Sequence, residues 1–257
     1  MLTSLSQLLL SMVQSLFFRH PFMINYFINK WEVKTLEISI SPHLCSLFPQ
    51  FKIGIIRYHD ITVGKSPQMI KGRLQLFQES LFFDMEDKNV TDFEGIKEWR
   101  QILKKAGKDP NRYRHSAEAL YRRIKKQNYL QSVNSSTDIN NFFSMKYEIP
   151  IGIYDKTRIE GNIVIRTGEE NEAYIGLNGR SNSLHNLILL SDEKGAFGSP
   201  FVDSERTAMN GETKEAIQVV FLRHSITMDE AKEMTESLMK MFLQVHGGTA
   251  EIEIREC

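Results

Sequence analysis

Arg112 and Arg114 stand two residues apart in the run Lys108-Asp109-Pro110-Asn111-Arg112-Tyr113-Arg114-His115-Ser116, just ahead of apolar residues at Ala119, Leu120 and Ile124. A turn that delivers two guanidinium groups to a helix start can grip an anion. The forked side chains give paired hydrogen bonds to phosphate, and the first backbone N–H groups of the helix favour negative charge. Arg122, Arg123, Lys125 and Lys126 extend the positive surface along the same expected helix, for which Ser116 is the expected N-cap. The plainer account is a solvated face on which Glu118 pairs with Arg122 at i,i+4 for about 0.3–0.5 kcal/mol.

Two further stretches are dense in hydrogen-bonding side chains. Asn134-Ser135-Ser136-Thr137-Asp138-Ile139-Asn140-Asn141 precedes Phe142 and Phe143 and reads as a helix start, capped by Ser136, whose Asp and Asn side chains satisfy orphan backbone donors. The same amides and carboxylate could floor a pocket and hold a ribose or an amino group. Gly152, in Ile149-Pro150-Ile151-Gly152-Ile153-Tyr154-Asp155, marks either a bulge or a point where a ligand approaches the backbone. The loop Phe197-Gly198-Ser199-Pro200-Phe201-Val202-Asp203-Ser204-Glu205-Arg206-Thr207 offers acids and an arginine that make a structural ion pair as readily as a catalytic group.

The elements that must position these groups follow from periodicity. Val33–Ile40 and Lys52–Tyr58 read as strands with Pro42 and Pro49 as breakers between them, and residues 59–71 read as a surface connection. Asp92 precedes Phe93, Ile96, Trp99, Ile102, Leu103 and Ala106, an amphipathic helix stopped by Gly107, with Trp99 as a core anchor. Five strands are expected over 149–154, 162–166, 172–177, 186–190 and 216–222. Thr227 and Glu230 form a capping box for a helix ended by Gly247 and Gly248, and residues 249–254 form a last strand at a sheet edge. This pattern predicts an α+β fold, with mixed sheets and flanking helices, over a doubly wound one.

Composition narrows the function. Lys+Arg and Asp+Glu both number 32, so no overall field draws the chain of 257 residues to a polyanion, and any nucleic-acid contact must be local. The two cysteines, Cys45 and Cys257, have no spacing that suggests a metal site or disulfide framework, which predicts a reducing, cytoplasmic setting. Residues 1–22 form an apolar stretch interrupted by Ser and Gln. It lacks the flanks of a secretory signal and falls short of the ~20 apolar residues of a membrane span. It reads as an amphipathic packing helix or as an extension ahead of a start at Met23, with a membrane anchor as the lesser alternative.

Taken in order, KDPNRYRHSAEALYRR, STDINNFFSMKYEIPIGIYD and DSERT, with GNIVIR and NLILLSD between the last two, resemble the B3/B4 domain of the phenylalanyl-tRNA synthetase beta subunit in its shorter, free-standing form. The resemblance covers roughly half of the chain. It divides the sequence into the extension 1–22, an N-terminal α/β part 23–107 and a B3/B4-like core 108–257. In the synthetases this domain hydrolyses tyrosine wrongly attached to the phenylalanine tRNA, so the resemblance implies a related fold and ligand. The implied ligand is a mischarged aminoacyl-tRNA, bound without cofactor or metal, without a membrane and without an obligate protein partner. Glu205, Asn140 and Asp138 are the implied catalytic set. Arg112, Arg114, Ser116, Glu118, Arg122, Arg123, Asn134, Thr137, Asn141, Gly152, Asp155, Asp203, Ser204, Arg206 and Thr207 are the implied substrate contacts. Gly152 stands where the synthetases carry a histidine, whereas Glu205 aligns with the glutamate that reads the tyrosine hydroxyl. His115 stands where many free-standing relatives have proline. No aminoacylation core is recognisable. The expected activity is trans-acting deacylation; the alternatives are a tRNA- or amino-acid-binding module without catalysis and an enzyme acting on a small amino acid derivative.

Overall fold

Residues 36–257 are described in the computed structural model, and the expectations for residues 1–22 lie outside them. Strand β2 (Lys52–His59) is the centre of the fold, because Ile53, Ile55 and Ile56 are all fully buried and so both of its faces are covered. Each such side chain contributes about 1.5–3 kcal/mol on burial. Antiparallel pairing of β2 with β9 (Ala216–Phe221) and β10 (Thr249–Glu256), and of β9 with β3 (Ile151–Asp155), builds one sheet in the order β10-β2-β9-β3. A second, mixed sheet runs β1-β4-β7-β8, with β1 (Ile38–Ile40) parallel to β4 (Ile163–Thr167), followed by antiparallel β7 (Ile188–Asp192) and β8 (Gly195–Gly198). Strands β5 (Ala173–Ile175) and β6 (Ser181–Ser183) form a separate hairpin. With helices α1 (Pro42–Leu47), α2 (Gln68–Asp84), α3 (Glu94–Lys105), α4 (Ser116–Lys125), α5 (Ser135–Tyr147) and α6 (Met228–His246), the fold class is α+β.

Several local expectations hold. The Thr227–Glu230 capping box opens α6, β10 occupies the sheet edge, and Trp99 is a buried anchor whose indole donates to the Phe221 carbonyl at 3.2 Å. Others are corrected. Pro42 starts a helix rather than breaking the chain, because proline suits the first helical turn and the Ser41 hydroxyl caps it. The connection after His59 gives way at Gln68 to a 17-residue helix. Asp92 does not cap α3: it closes a capping box with Asn89 one turn earlier, and the Glu148 carboxylate accepts the Gly95 N–H instead. Strands β6 and β8 had no expectation. Strands β2 and β9 lie side by side in one sheet, and residues 37–257 form one compact unit.

The cysteines are also corrected. Cys45 and Cys257 form a disulfide with Cα atoms 5.1 Å apart across 212 positions. Strand β10 runs back along β2 until the Cys257 N–H reaches the Phe51 carbonyl, directly after α1, which holds Cys45. The disulfide removes the ground on which the cysteines suggested a reducing compartment. Among the described residues no helix is long and apolar enough to cross a membrane.

Candidate functional site

The arginine-bearing turn is closed by its own hydrogen bonds. Asp109 accepts the Asn111 N–H through its side chain and the Arg112 and Tyr113 N–H groups through its carbonyl, and the Lys108 ammonium lies 4.7 Å from the Tyr113 ring centroid. His115, not Ser116, caps α4: its Nδ1 accepts the Glu118 N–H at 3.4 Å. This works because burial holds the imidazole pKa down at about 3, so the ring is neutral and keeps an acceptor nitrogen. The Ser116 N–H instead donates to the Pro200 carbonyl at 2.8 Å, tying the turn to the acidic loop. Glu118 is fully buried and receives both Arg100 (2.9 Å) and Arg122 (2.8 Å), so Arg122 is committed to an internal charge. Arg112, Arg114 and Arg123 are exposed and form no ion pair among the described residues.

Arg112, Tyr113 and Arg114 line a cavity of about 380 Å³ whose other walls are the β5–β6 hairpin (Asn178, Ser181, Asn182, Ser183) and the loop Ser199, Phe201, Val202. No carboxylate lines it. The loop wall is held from three sides. Ser116 takes the Pro200 carbonyl, Tyr174 of the hairpin donates its hydroxyl to the Val202 carbonyl, and Tyr154 of β3 donates to Asp203 at 2.7 Å. Asp203 also accepts the Ser199 N–H at 3.2 Å. Burial pushes the Asp203 carboxyl up to about 7 and raises the Tyr154 hydroxyl well above its ordinary value.

Gly152 is explained by this pair. A Cβ there would sit 2.0 Å from the Tyr154 hydroxyl, and one at Gly198 would sit 2.4 Å from it. The glycine therefore marks neither a bulge nor a bare approach for a ligand: the space a side chain would need is filled by Tyr154.

The amide-rich helix start lies elsewhere. Asn134 rather than Ser136 is the N-cap of α5, accepting the Thr137 N–H and the Ser136 hydroxyl. Asp138 is fully buried and accepts Ser66, Ser132 and the Val133 N–H, which pins the loop ahead of α2. Asn140 donates to the Ile151 carbonyl and accepts from Gln218, which in turn accepts from Tyr58. Gln218 lies opposite Ile56 and Ile153, on the face where Tyr58 meets Phe242 of α6, whereas Gly152 lies opposite Val219, on the face where Tyr154 meets Phe197. The thickness of a sheet thus separates the Asn140 network from Tyr154 and Asp203. Asn141 makes no side-chain hydrogen bond among the described residues.

In the acidic loop, Ser204 caps the one-turn helix Glu205–Thr207. Arg206 forms a two-pronged pair with Asp192 at 2.8 and 2.9 Å and also reaches the Arg158 and Gly195 carbonyls. Asp155 receives Thr157 and Thr213, closing the turn after β3. Thr207 is buried with its hydroxyl unpartnered. Glu205 is exposed, unpaired among the described residues and outside the cavity lining. Two of the three polar stretches therefore meet at one cavity, and the third faces the helices.

One pair went unseen in the sequence. Ser135 and His246, 111 positions apart, meet at 2.8 Å, with the other imidazole nitrogen on the Phe242 carbonyl. This is the contact of a nucleophile with its base, but both residues are buried, and Ser135 also joins Gly64, so the pair pins α6 to α5.

Residues 98–240 match the B3/4 domain family. The uncharacterized Bacillus subtilis protein YhzB is 37% identical over 192 residues, 75% of this chain and 86% of that protein. The phenylalanine–tRNA ligase beta subunit of Fusobacterium nucleatum is 33% identical over 87 residues, which is 33% of this chain but 11% of the ligase subunit. Among solved structures, an N-terminal fragment of the phenylalanyl-tRNA synthetase beta-subunit from Pyrococcus horikoshii aligns over 86% of this chain and 52% of that one, at 15% identity and a TM-score of 0.43.

Proposed function

The chain belongs to the B3/4 domain family, and from that premise we propose that it is a tRNA-binding module whose cavity between the arginine turn and the β5–β6 hairpin holds RNA phosphate. The observation that carries this reading is that Arg112 and Arg114, free of carboxylate partners among the described residues, line a cavity that no acid lines. A guanidinium in such a place has its hydrogen-bonding capacity unspent, and a phosphodiester is its best complement. Tyr113 and Phe201 in the same lining offer faces on which a base can stack, and Asn178 and Asn182 offer amide groups. With Lys+Arg and Asp+Glu balanced at 32 each, binding would arise from this patch and not from the field of the whole molecule.

Deacylation of a mischarged tRNA is the second reading. It is favoured by Glu205, whose carboxylate is exposed and unpaired among the described residues. In this reading Glu205 contacts the amino acid or orients water, and Asn141 shapes the acceptor site. Asn140 and Asp138 would act only by holding α5 in place, since their polar atoms are already engaged.

The test is a salt titration of tRNA binding. The parent should bind saturably with a log–log slope that falls by about 1 for Arg112→Ala and again for Arg114→Ala. Each variant should lose roughly tenfold in affinity, the worth of one charge-assisted hydrogen bond. A panel of mischarged tRNAs, with Glu205→Ala as control, separates the readings: release of amino acid that depends on Glu205 establishes the hydrolase. An affinity and slope unchanged in both arginine variants would refute the proposed site.

A further inference from the structure

A second cavity, which shares no lining residue with the one at the arginine turn, has different chemistry. It is a half-open hollow of about 430 Å³, and its floor is made by Phe48, Phe51, Ile102 and Leu222. These four side chains are at most 7% exposed, so the floor belongs to the core of the protein. Its rim carries Lys105 and Gln101. The Lys105 ammonium lies 5.3 Å from the Phe48 ring centroid and has no carboxylate partner among the described residues. The imidazole Nδ1 of the rim residue His224 lies 3.3 Å from the Glu98 carboxylate.

The walls are tied together by backbone hydrogen bonds. The Phe51 N–H donates to the Phe48 carbonyl, the Leu222 N–H donates to the Lys52 carbonyl, and the Phe51 carbonyl takes the Cys257 N–H. Cys257 is in turn bonded to Cys45, one turn ahead of Phe48. The disulfide thus frames the corner that supplies half of the apolar floor. A pre-formed hollow of this size with an apolar base and a few convergent polar groups is the usual form of a small-molecule site.

We propose that this disulfide-framed cavity binds a small apolar monocarboxylate, its hydrocarbon part on Phe48, Phe51, Ile102 and Leu222 and its carboxylate at Lys105 and the Gln101 amide. A carboxylate gives the exposed ammonium a partner that an uncharged ligand cannot, and a polar ligand would leave the floor wet. The proposal is independent of tRNA binding, since it uses none of the residues of the arginine-lined cavity.

Titration calorimetry of the oxidised, full-length chain with octanoate, and with 1-octanol as the uncharged counterpart, tests it. Octanoate should bind saturably, and octanol at least about tenfold more weakly, the difference expected for one hydrogen bond to a charged group. Lys105→Gln lies on an exposed helical position and should keep the fold while weakening octanoate by a similar factor. Ile102→Trp should fill the hollow and abolish binding, with the far-ultraviolet spectrum confirming that the variant folds. No octanoate binding to the parent, equal affinity for octanol, or an affinity unmoved by Lys105→Gln overturns the proposal.

Discussion

Replacing Asp203 by asparagine should make the stability of this protein less dependent on pH, in a direction opposite to that of most carboxylates. Burial raises the Asp203 carboxyl from its ordinary 3.8 to about 7. Below 3.8 the side chain is protonated in both folded and unfolded chains. Between 3.8 and 7 the unfolded chain gives up the proton while the folded one keeps it, so stability drains away as pH rises and levels off above 7. At about 1.36 kcal/mol per pH unit, that interval is worth on the order of 4 kcal/mol, and the partial exposure of the residue brings the expectation to roughly 2–4 kcal/mol. The amide introduced by Asp203→Asn would keep an oxygen to accept the Tyr154 hydroxyl and the Ser199 N–H without titrating. Urea unfolding of parent and Asp203→Asn at closely spaced pH values from 4 to 8.5, with the disulfide intact, measures the difference. The variant should gain on the parent steadily up to pH 7 and hold a constant lead beyond it. A difference flat to within about 0.5 kcal/mol across the range would show that the carboxyl is not buried as described.

Two more outcomes follow from the same geometry. Gly152→Ala should cost about 1–3 kcal/mol through overpacking against Tyr154, and Tyr154→Phe, which removes the nearest atom, should recover part of the loss in a double-mutant cycle of thermal stabilities. Arg122→Ala should destabilise the fold by about 1–3 kcal/mol because it strips a partner from buried Glu118, whereas Arg112→Ala should leave the unfolding midpoint unchanged; equal effects in a denaturant titration would contradict the different commitments of the two side chains.

How much of this could be read beforehand depends on whether the signal is local. Helix α6 is written in Thr227, Glu230 and apolar positions three and four apart, and α3 in the same way, so both were legible. Helix α2 was not: Met69, Leu76 and Phe83 stay exposed while Ile70, Leu74 and Leu81 are buried, which leaves no clean apolar stripe to recognise. The N-cap of α4 was displaced by one residue because histidine is an uncommon cap and acts here only through the neutrality that burial enforces. In the site, Arg112 and Arg114 could be singled out from charge and turn chemistry, and the cavity includes them. The roles of Tyr154 and Asp203 could not, because they arise where β3 meets a loop almost fifty positions later, and neither residue type announces that contact. The engagement of Asn140 by Gln218 across 78 positions is hidden for the same reason.

The bond between Cys45 and Cys257 gives the molecule an unusual connectivity. Residues 45 to 257 become a closed loop of covalent bonds, so the arginine turn, the hairpin and both cavity walls are joined along two routes rather than one. A single backbone break anywhere inside that loop leaves one particle, with its parts still tethered, and only thiol treatment would let them separate. Limited proteolysis run side by side with and without reductant would therefore report on the bond itself: cuts that are silent on a non-reducing gel should resolve into pieces once the sulfur link is opened.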